Sequence, residues 1–280
     1  MNNVKKVAIV TGASSGIGKA AAMKFLEMGY TVHAAARRLH AMKDLEAKGA
    51  LVHSVDLRNL TDITSFANNV IAASGRIDVL VNSAGYGFYG SVEEVPMTAA
   101  KEQLEVNLFA VAEMIQAVLP VMRKQRSGKI VNVSSTGGKS AMPLGGWYHA
   151  SKFALEGLSD SLRGEVRPFG IDVVVVEPGG VKTEWGGIMV ENMMQTSGAG
   201  PYKLMVERFK NAVGGKQVES MSATPEEIGA LIARIAETRR PKARYVAPFH
   251  AKLILFMNWL LCDKATDWLT GKMLNLPASL

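Results

Sequence analysis

A single cysteine, Cys262, among 280 residues leaves no partner for an internal disulfide, so the chain needs no oxidising compartment to fold. No signal peptide is visible in the sequence, because MNNVKKVAIV runs within a few residues into an apolar, strand-like stretch, so a cytoplasmic location is expected. No Pro/Gly/Ser-rich linker and no internal repeat interrupts the chain, so residues 1–280 are expected to form one domain. Basic residues are in excess, for a formal net charge of +7, yet they are scattered, and only RRPKAR at Arg239 to Arg244 forms a cluster. That is a solvated helix end and loop, so no nucleic-acid partner is expected. No metal site is expected either. What remains, 48% hydrophobic and 20% charged residues, is the balance of an ordinary soluble globular protein.

Short apolar runs recur along the chain: VAIV near Val7, VLV near Leu80, IVNV near Val131 and DVVVVE near Val174, with longer helical stretches between them. Runs that are apolar on both faces suit parallel strands covered by helices. The alternation predicts an α/β fold with a doubly wound, mostly parallel sheet.

The first predicted strand ends in Thr11-Gly12-Ala13-Ser14-Ser15-Gly16-Ile17-Gly18 and is followed by the helix-forming run KAAAMKFLEM. Glycines there permit a tight turn and close backbone approach to a phosphate, while the helix start offers free N–H groups and the positive end of its dipole. A dinucleotide site follows, with Gly12, Ser14, Ser15, Gly16, Ile17 and Gly18 around the phosphates. A second strand, TVHAAA, ends at Ala36 and leads into Arg37 and Arg38, and no Asp or Glu occurs between Gly29 and Lys43. An acidic residue there would hold a ribose 2′-hydroxyl; a guanidinium instead suits a 2′-phosphate, so the expected cofactor is NADP(H), selected by Arg37. Asp56, near the end of LVHSVDL, is placed either to accept from an adenine amino group or to cap the following turn. Asn82-Ser83-Ala84-Gly85 closes the fourth strand, RIDVLV, with small residues that let backbone pass close to the cofactor, which places Asn82, Ala84 and Gly85 at the site.

Tyr148 and Lys152 stand four residues apart, on one face of a helix that begins near Trp147. A phenol near its ordinary pKa of ~10 transfers protons poorly at neutrality, and a neighbouring ammonium supplies a downward shift. Ser135 follows the strand-like run IVNVS and can face the same cleft.

These motifs, in this order, resemble the classical short-chain dehydrogenase/reductase family over essentially the full length: TGASSGIG, the NSAG after strand four, an Asn in VNLFA, a Ser-x12-Tyr-x3-Lys constellation and EPGGVKT. The resemblance implies a Rossmann fold and a catalytic group of Asn107, Ser135, Tyr148 and Lys152. Tyr148 is then the general acid/base, Ser135 holds the substrate oxygen, and Lys152 lowers the tyrosine pKa and binds the nicotinamide ribose. Asn107 bends its helix and holds a water in a proton relay toward Lys152. Pro178 and Gly179 make a turn at the carboxyl end of the sheet, where ligands of such folds bind. In the family the backbone at Val181 and the side chain of Thr183 meet the nicotinamide carboxamide. His149, about 100° around the helix from Tyr148, is read as structural.

VNLFA and EPGGVKTEW look most like the hydroxysteroid and retinol dehydrogenase-like branch. Residues 184–217 lose strong periodicity and carry Met189, Met193, Met194 and Met205, which suits a substrate-covering region. With Tyr86, Phe88, Met142, Leu144 and Trp185 they describe a lipophilic pocket. The tail, 251–280, holds LILFM and WLLC; it is too short and interrupted to cross a bilayer, so no transmembrane segment is expected, and its cover is a partner subunit, the lid or a membrane surface. The expected protein is an NADP(H)-dependent oxidoreductase for the carbonyl or alcohol of a hydrophobic small molecule, acting as a homodimer or homotetramer. Reduction of a 3-oxoacyl thioester and a non-catalytic NADP-binding sensor or scaffold are the rival readings.

Overall fold

The computed structural model describes residues 5–275. Seven strands, β1 (Val7–Thr11), β2 (Thr31–Ala36), β3 (Leu51–Ser54), β4 (Val79–Asn82), β5 (Gly128–Val133), β6 (Ile171–Pro178) and β7 (Arg244–Ala247), form one sheet in the order β3-β2-β1-β4-β5-β6-β7. Every pairing is parallel. The chain winds outward from β1 in one direction and then, after β3, crosses to β4 and winds outward in the other. The carboxyl ends of β1 and β4 therefore meet where the order reverses, the place at which such sheets bind ligands.

Alternation along each strand separates two cores. Ala8, Val10, Val81, Val131 and Val174 face one layer, which includes α1 (Gly16–Glu27), α2 (Lys43–Ala47) and, from later in the chain, Pro225–Glu237. Ile9, Leu80, Ile130 and Val173 face the other, built from α3 (Leu60–Ser74), α5 (Ala110–Gln125) and α6 (Gly146–Val166), with α4 (Met97–Leu104) leading into α5. Each such Val, Leu or Ile contributes about 1.5–3 kcal/mol by leaving water. Among the described residues one helical run, Met97–Gln125, has the length and apolarity of a membrane span. Its apolar inner face, Val111, Met114, Ile115 and Val118, is buried in that second core, which accounts for the hydropathy in a sheet-covering helix.

The region 184–217 is more regular than its sequence suggests. It forms α7 (Trp185–Ser197) and α8 (Lys203–Val213) and enters α9 (Lys216–Met221). Met189, Met193 and Ser197 recur every four residues on the buried face of α7, and glycines at its two ends disguise that period. Helix α10 (Pro225–Glu237) opens with the capping box of Thr224 and Glu227. After β7 come α11 (Phe249–Leu260) and α12 (Asp263–Met273); the last residues of the tail, 276–280, lie outside the described residues.

Candidate active site

Beyond β1 the chain turns at Gly12, whose φ of +69° suits only a residue without a side chain, and a Cβ there would lie 2.8 Å from the Ala84 backbone. The same squeeze recurs at Gly18, where a Cβ would sit 2.5 Å from the Gly12 carbonyl oxygen. These two contacts draw the start of α1 against the ends of β1 and β4. Thr11, which the motif reading left unassigned, ties the ends together: its Oγ1 accepts from the Ser83 and Ala84 N–H groups at 3.2 and 3.3 Å. Only its place at the strand terminus hinted at this.

Ser15 precedes α1 in extended conformation and makes no side-chain cap, and no acidic residue stands in the first turn. The N–H groups of that turn are thus available to an anion, and the dipole favours one. Across from it, the Thr183 methyl lies 3.2 Å from where a Gly16 Cβ would be, and Thr183 Oγ1 accepts from the Trp185 N–H at 3.3 Å. Between them is a cleft of about 610 Å³ lined by Ser15, Gly16, Val181, Thr183 and Glu184. Val181 is held by a bridge to Ala223, and Gly179 donates its N–H to the Ala247 carbonyl at 2.8 Å, which pins the turn after Pro178 to the edge strand. Ser14 and Ile17 belong to the same turn, with Ile17 packed on the core beneath it.

The three basic side chains near the end of β2 differ in what they already hold. Arg58 grips both Asp56 carboxylate oxygens and reaches Glu102 at 3.0 Å. Arg38 lies 3.8 Å from Glu184, an exposed pair worth little. Arg37 has no hydrogen-bond or ion-pair partner among the described residues. Asp56 also accepts from the Arg58 N–H at 3.0 Å, the turn-capping contact, and the guanidinium holds its carboxyl down at about 2.

At the end of β4, Asn82 is buried and donates to Asn132 Oδ1 at 2.9 Å, and Asn132 in turn donates to Ser159 Oγ of α6. Asn82 therefore braces strands through its amide nitrogen, while its own Oδ1 has no partner among the described residues. Gly85 lies between two of the expected catalytic groups: a Cβ there would be 3.1 Å from Asn107 Oδ1 and 3.5 Å from Lys152 Nζ. Between α4 and α5 the helix makes a π turn, Glu105–Phe109, and Asn107 is buried within it. Its side chain accepts from the Tyr86 N–H at 3.1 Å and donates to the Tyr86 carbonyl and Ser151 Oγ at 2.9 and 3.0 Å. A π turn at a functional residue is a common device.

Ser135 Oγ accepts from the Gly137 N–H at 3.0 Å and lies in hydrogen-bonding reach of the Tyr148 hydroxyl, favouring the phenolate. Ser134, the neighbouring serine, is buried, and its hydroxyl has no partner among the described residues. Tyr148 is buried and its phenol is pushed up to about 12, because burial outweighs Ser135. The expected lowering by Lys152 is not found in this arrangement. Lys152 Nζ sits 6.0 Å from the Tyr148 ring centre, donates to the Val133 carbonyl at 2.9 Å, and is itself brought down to about 8 by burial, against the charge of Glu156. The ammonium is near, but its charge is directed into the end of β5. His149 is structural: Nδ1 is 2.9 Å from the Gly137 carbonyl and Nε2 accepts from the Met142 N–H at 3.1 Å. Those bonds define a neutral imidazole with its proton on Nδ1, and burial favours it.

Over Tyr148 lies an apolar cluster of Tyr89, Leu144, Met189, Met193, Phe209 and Leu274, with Met142 and Trp185 packed against it. Tyr89 is its hub, with ring centres 5.6 Å from Tyr148 and 6.0 Å from both Trp185 and Phe209. In YGFYG the sequence offers no way to choose Tyr89 over the expected Tyr86 and Phe88, neither of which belongs to the cluster. Leu274 was equally unreadable, because it comes from the far tail.

The arrangement has counterparts among known proteins. A family model described as short chain dehydrogenase matches residues 6–193. A 3-ketodihydrosphingosine reductase of Bacteroides thetaiotaomicron is 34% identical over 96% of this chain and 95% of its own. An NADPH-dependent 3-dehydrocapnine reductase of Ornithobacterium rhinotracheale is 32% identical over 94% of this chain and 95% of its own. The solved structure of a short-chain dehydrogenase from Streptomyces avermitilis superposes with a TM-score of 0.80 at 33% identity, covering 95% of this chain and 96% of that one. A metagenomic short-chain oxidoreductase solved with NADP is 29% identical, with a TM-score of 0.69 over 87% of this chain and 96% of that one. A Burkholderia phymatum member solved with NAD, 24% identical, shares the fold with a TM-score of 0.76 over 91% and 94%.

Proposed function

The chain belongs to the short-chain dehydrogenases, oxidoreductases that interconvert CH–OH and C=O groups with a nicotinamide dinucleotide, and from that premise we propose that it is an NADPH-dependent reductase of a ketone carried on an apolar chain. The observation that carries the reading is the Tyr148 hydroxyl, held protonated beside Ser135 under a cover of tyrosine, methionine and leucine. A carbonyl oxygen taken up between Ser135 and Tyr148 accepts a hydrogen bond from the serine and the proton from the phenol, and a phenol of high pKa is fully in the donating form at neutral pH. Ser135 is held for this by the Gly137 N–H, which fixes its oxygen, and its proton need only leave a long 3.5 Å bond to the Pro178 carbonyl to turn to the substrate. Lys152 restores a proton toward Tyr148 from a position braced by the Val133 carbonyl, with Asn107 alongside it at Gly85.

The free helix N-terminus at Gly16, the Gly12 and Gly18 squeezes and the turn from Pro178 to Thr183 fit a dinucleotide. When bound, NADPH supplies the hydride, which the protein does not have. Arg37 supports NADP over NAD, because it is the one guanidinium of the three near β2 with no carboxylate in hand. The apolar cover supports a lipophilic substrate, and two relatives are named for a 3-keto and a 3-dehydro compound. NADPH oxidation over a panel of long-chain 3-ketones, steroids, retinal and 3-oxoacyl thioesters tests the reading, with Tyr148→Phe as control. Turnover of apolar ketones that vanishes in the variant is expected. Tight NADPH binding with no turnover of any carbonyl overturns it in favour of a sensor.

A further inference from the structure

Helices α11 and α12 carry an apolar surface that no described part of the chain covers. On α11, Phe249 is 80% and Trp259 79% exposed, and Leu253, Ile254, Phe256, Met257 and Leu260 are exposed as well. At 100° per residue these seven side chains span about 220° of the helix circumference. The opposite arc holds Ala251, the only buried residue of the helix, and Asn258, whose Nδ2 donates to the Lys139 carbonyl at 3.3 Å. On α12, Trp268, Leu269 and Met273 are exposed too.

We propose that α11 and α12 form a docking surface for an anionic phospholipid membrane. The breadth of the apolar arc is the first reason. A second copy of a rigid protein meets one side of a helix, whereas a fluid lipid surface closes around three sides of it, and a helix apolar nearly all round is stable only where it is enclosed. The second reason is charge. Lys252 Nζ lies 5.5 Å from the Phe249 ring centre, and Lys272 Nζ lies 4.4 Å from that of Trp268. A cation held against an exposed aromatic ring is the arrangement that places the ring at the headgroup level and the ammonium among lipid phosphates. Lys264 adds a third cation against the two carboxylates of α12, Asp263 and Asp267, and the whole chain carries +7.

The surface is also fastened to the catalytic cleft at both ends. A Cβ on Gly179 would meet Ala251 at 3.1 Å, so α11 starts beside the turn that follows β6. Asn258 is tied to Lys139, four residues beyond Ser135, and Leu274, just past α12, is buried in the cluster around Tyr148. Both helices thus border the apolar cluster around Tyr148. The docking inference stands on this surface alone and does not depend on which ketone is reduced.

Flotation with phosphatidylcholine vesicles, with and without phosphatidylglycerol, tests it directly. Wild-type protein is expected to float with the anionic vesicles, less in high salt. The exposed double variant Phe256→Glu with Trp259→Glu should lose roughly tenfold or more of that binding, from the burial of two aromatic rings, and Lys252→Glu with Lys272→Glu should lose the preference for anionic lipid. Circular dichroism and turnover of a water-soluble ketone show that the variants remain folded and active. Absence of flotation overturns the proposal; a concentration-dependent dimer that the aromatic double variant abolishes would then assign the surface to a second copy. Equal binding to both vesicle types overturns the anionic selectivity, and unchanged binding by the aromatic variant assigns the contact elsewhere.

Discussion

Arg244 of the edge strand β7 donates from Nε to Glu156 Oε2 at 3.0 Å, one helical turn beyond Lys152. The same Nε is 3.3 Å from Glu177 Oε1, and a terminal nitrogen reaches Asp160 at 2.7 Å, so one guanidinium serves three carboxylates, of which Glu156 and Glu177 are 3% and 2% exposed. Lys139 also reaches Glu156, at 3.1 Å. Burial and the charge of Glu156 push Glu177 up to about 7. Removing the shared cation by Arg244→Ala should cost about 1–3 kcal/mol of unfolding free energy, because Glu177 loses its partner while Lys139 still holds Glu156. The sign with pH is defined. A carboxyl whose folded pKa lies above its unfolded value stabilises at low pH and loses that contribution as pH rises from about 4.5 to 7. Urea unfolding at pH 5.5 and 7.5 should therefore show a larger penalty for Arg244→Ala at the higher pH; an equal penalty would falsify the raised pKa of Glu177.

The tyrosine gives a directional prediction. With Tyr148 protonated up to about 12, reduction needs no deprotonation of it, whereas oxidation needs the phenolate, whose fraction grows tenfold per pH unit below that value. Between pH 7 and 9 the alcohol-oxidation rate should climb while ketone reduction does not gain. Tyr148→Phe should lower both by roughly 10²–10⁴ and leave NADPH binding in place, as fluorescence titration can check.

Arg37 and Arg38 make a matched pair of variants. Arg37→Asp should reduce the ratio of catalytic efficiencies with NADPH and NADH by roughly 10–100-fold, the worth of a charge-assisted bond to a phosphate. Arg38→Ala should change that ratio little, because Arg38 already faces Glu184. An unchanged ratio in the Arg37 variant removes the case for NADP.

Gly18→Ala puts a methyl group 2.5 Å from the Gly12 carbonyl oxygen. Backbone on both sides leaves it nowhere to go, so a loss of about 1–3 kcal/mol is expected. More telling is the ligand effect: the thermal shift given to wild-type protein by a dinucleotide should shrink or vanish in the variant.

Much of this architecture was legible because local and global signals agree. VAIV and the four valines of DVVVVE are apolar without alternation, and only a strand covered on both faces requires that; the sheet buries them so. Tyr148, Lys152 and Ser135 were found by spacing, since helix periodicity and strand ends fix where such side chains point. The expected tyrosine pKa shift was not legible, because it depends on the direction of the Lys152 ammonium, which the Val133 carbonyl sets across the fold. Helix α7 was hidden by Gly186, Gly187 and Gly198, although its buried period of four was present in Met189 and Met193. The cluster hub Tyr89 and the remote Leu274 were beyond reach for a plain reason: their roles arise from contacts between segments far apart in the chain.

That distance has a consequence for how the protein is made. The candidate catalytic and cofactor-facing residues lie between Thr11 and Thr183, but Leu274, which belongs to the cluster around Tyr148, leaves the ribosome after all of them. At ~5–20 residues per second the wait is roughly 5–20 s, during which the sheet can form while tyrosine and methionine side chains face water. A nascent chain arrested before Leu274 should bind an apolar fluorescent probe that the released chain does not, so the newborn enzyme spends its most vulnerable seconds with its chemistry assembled and its roof still unsynthesised.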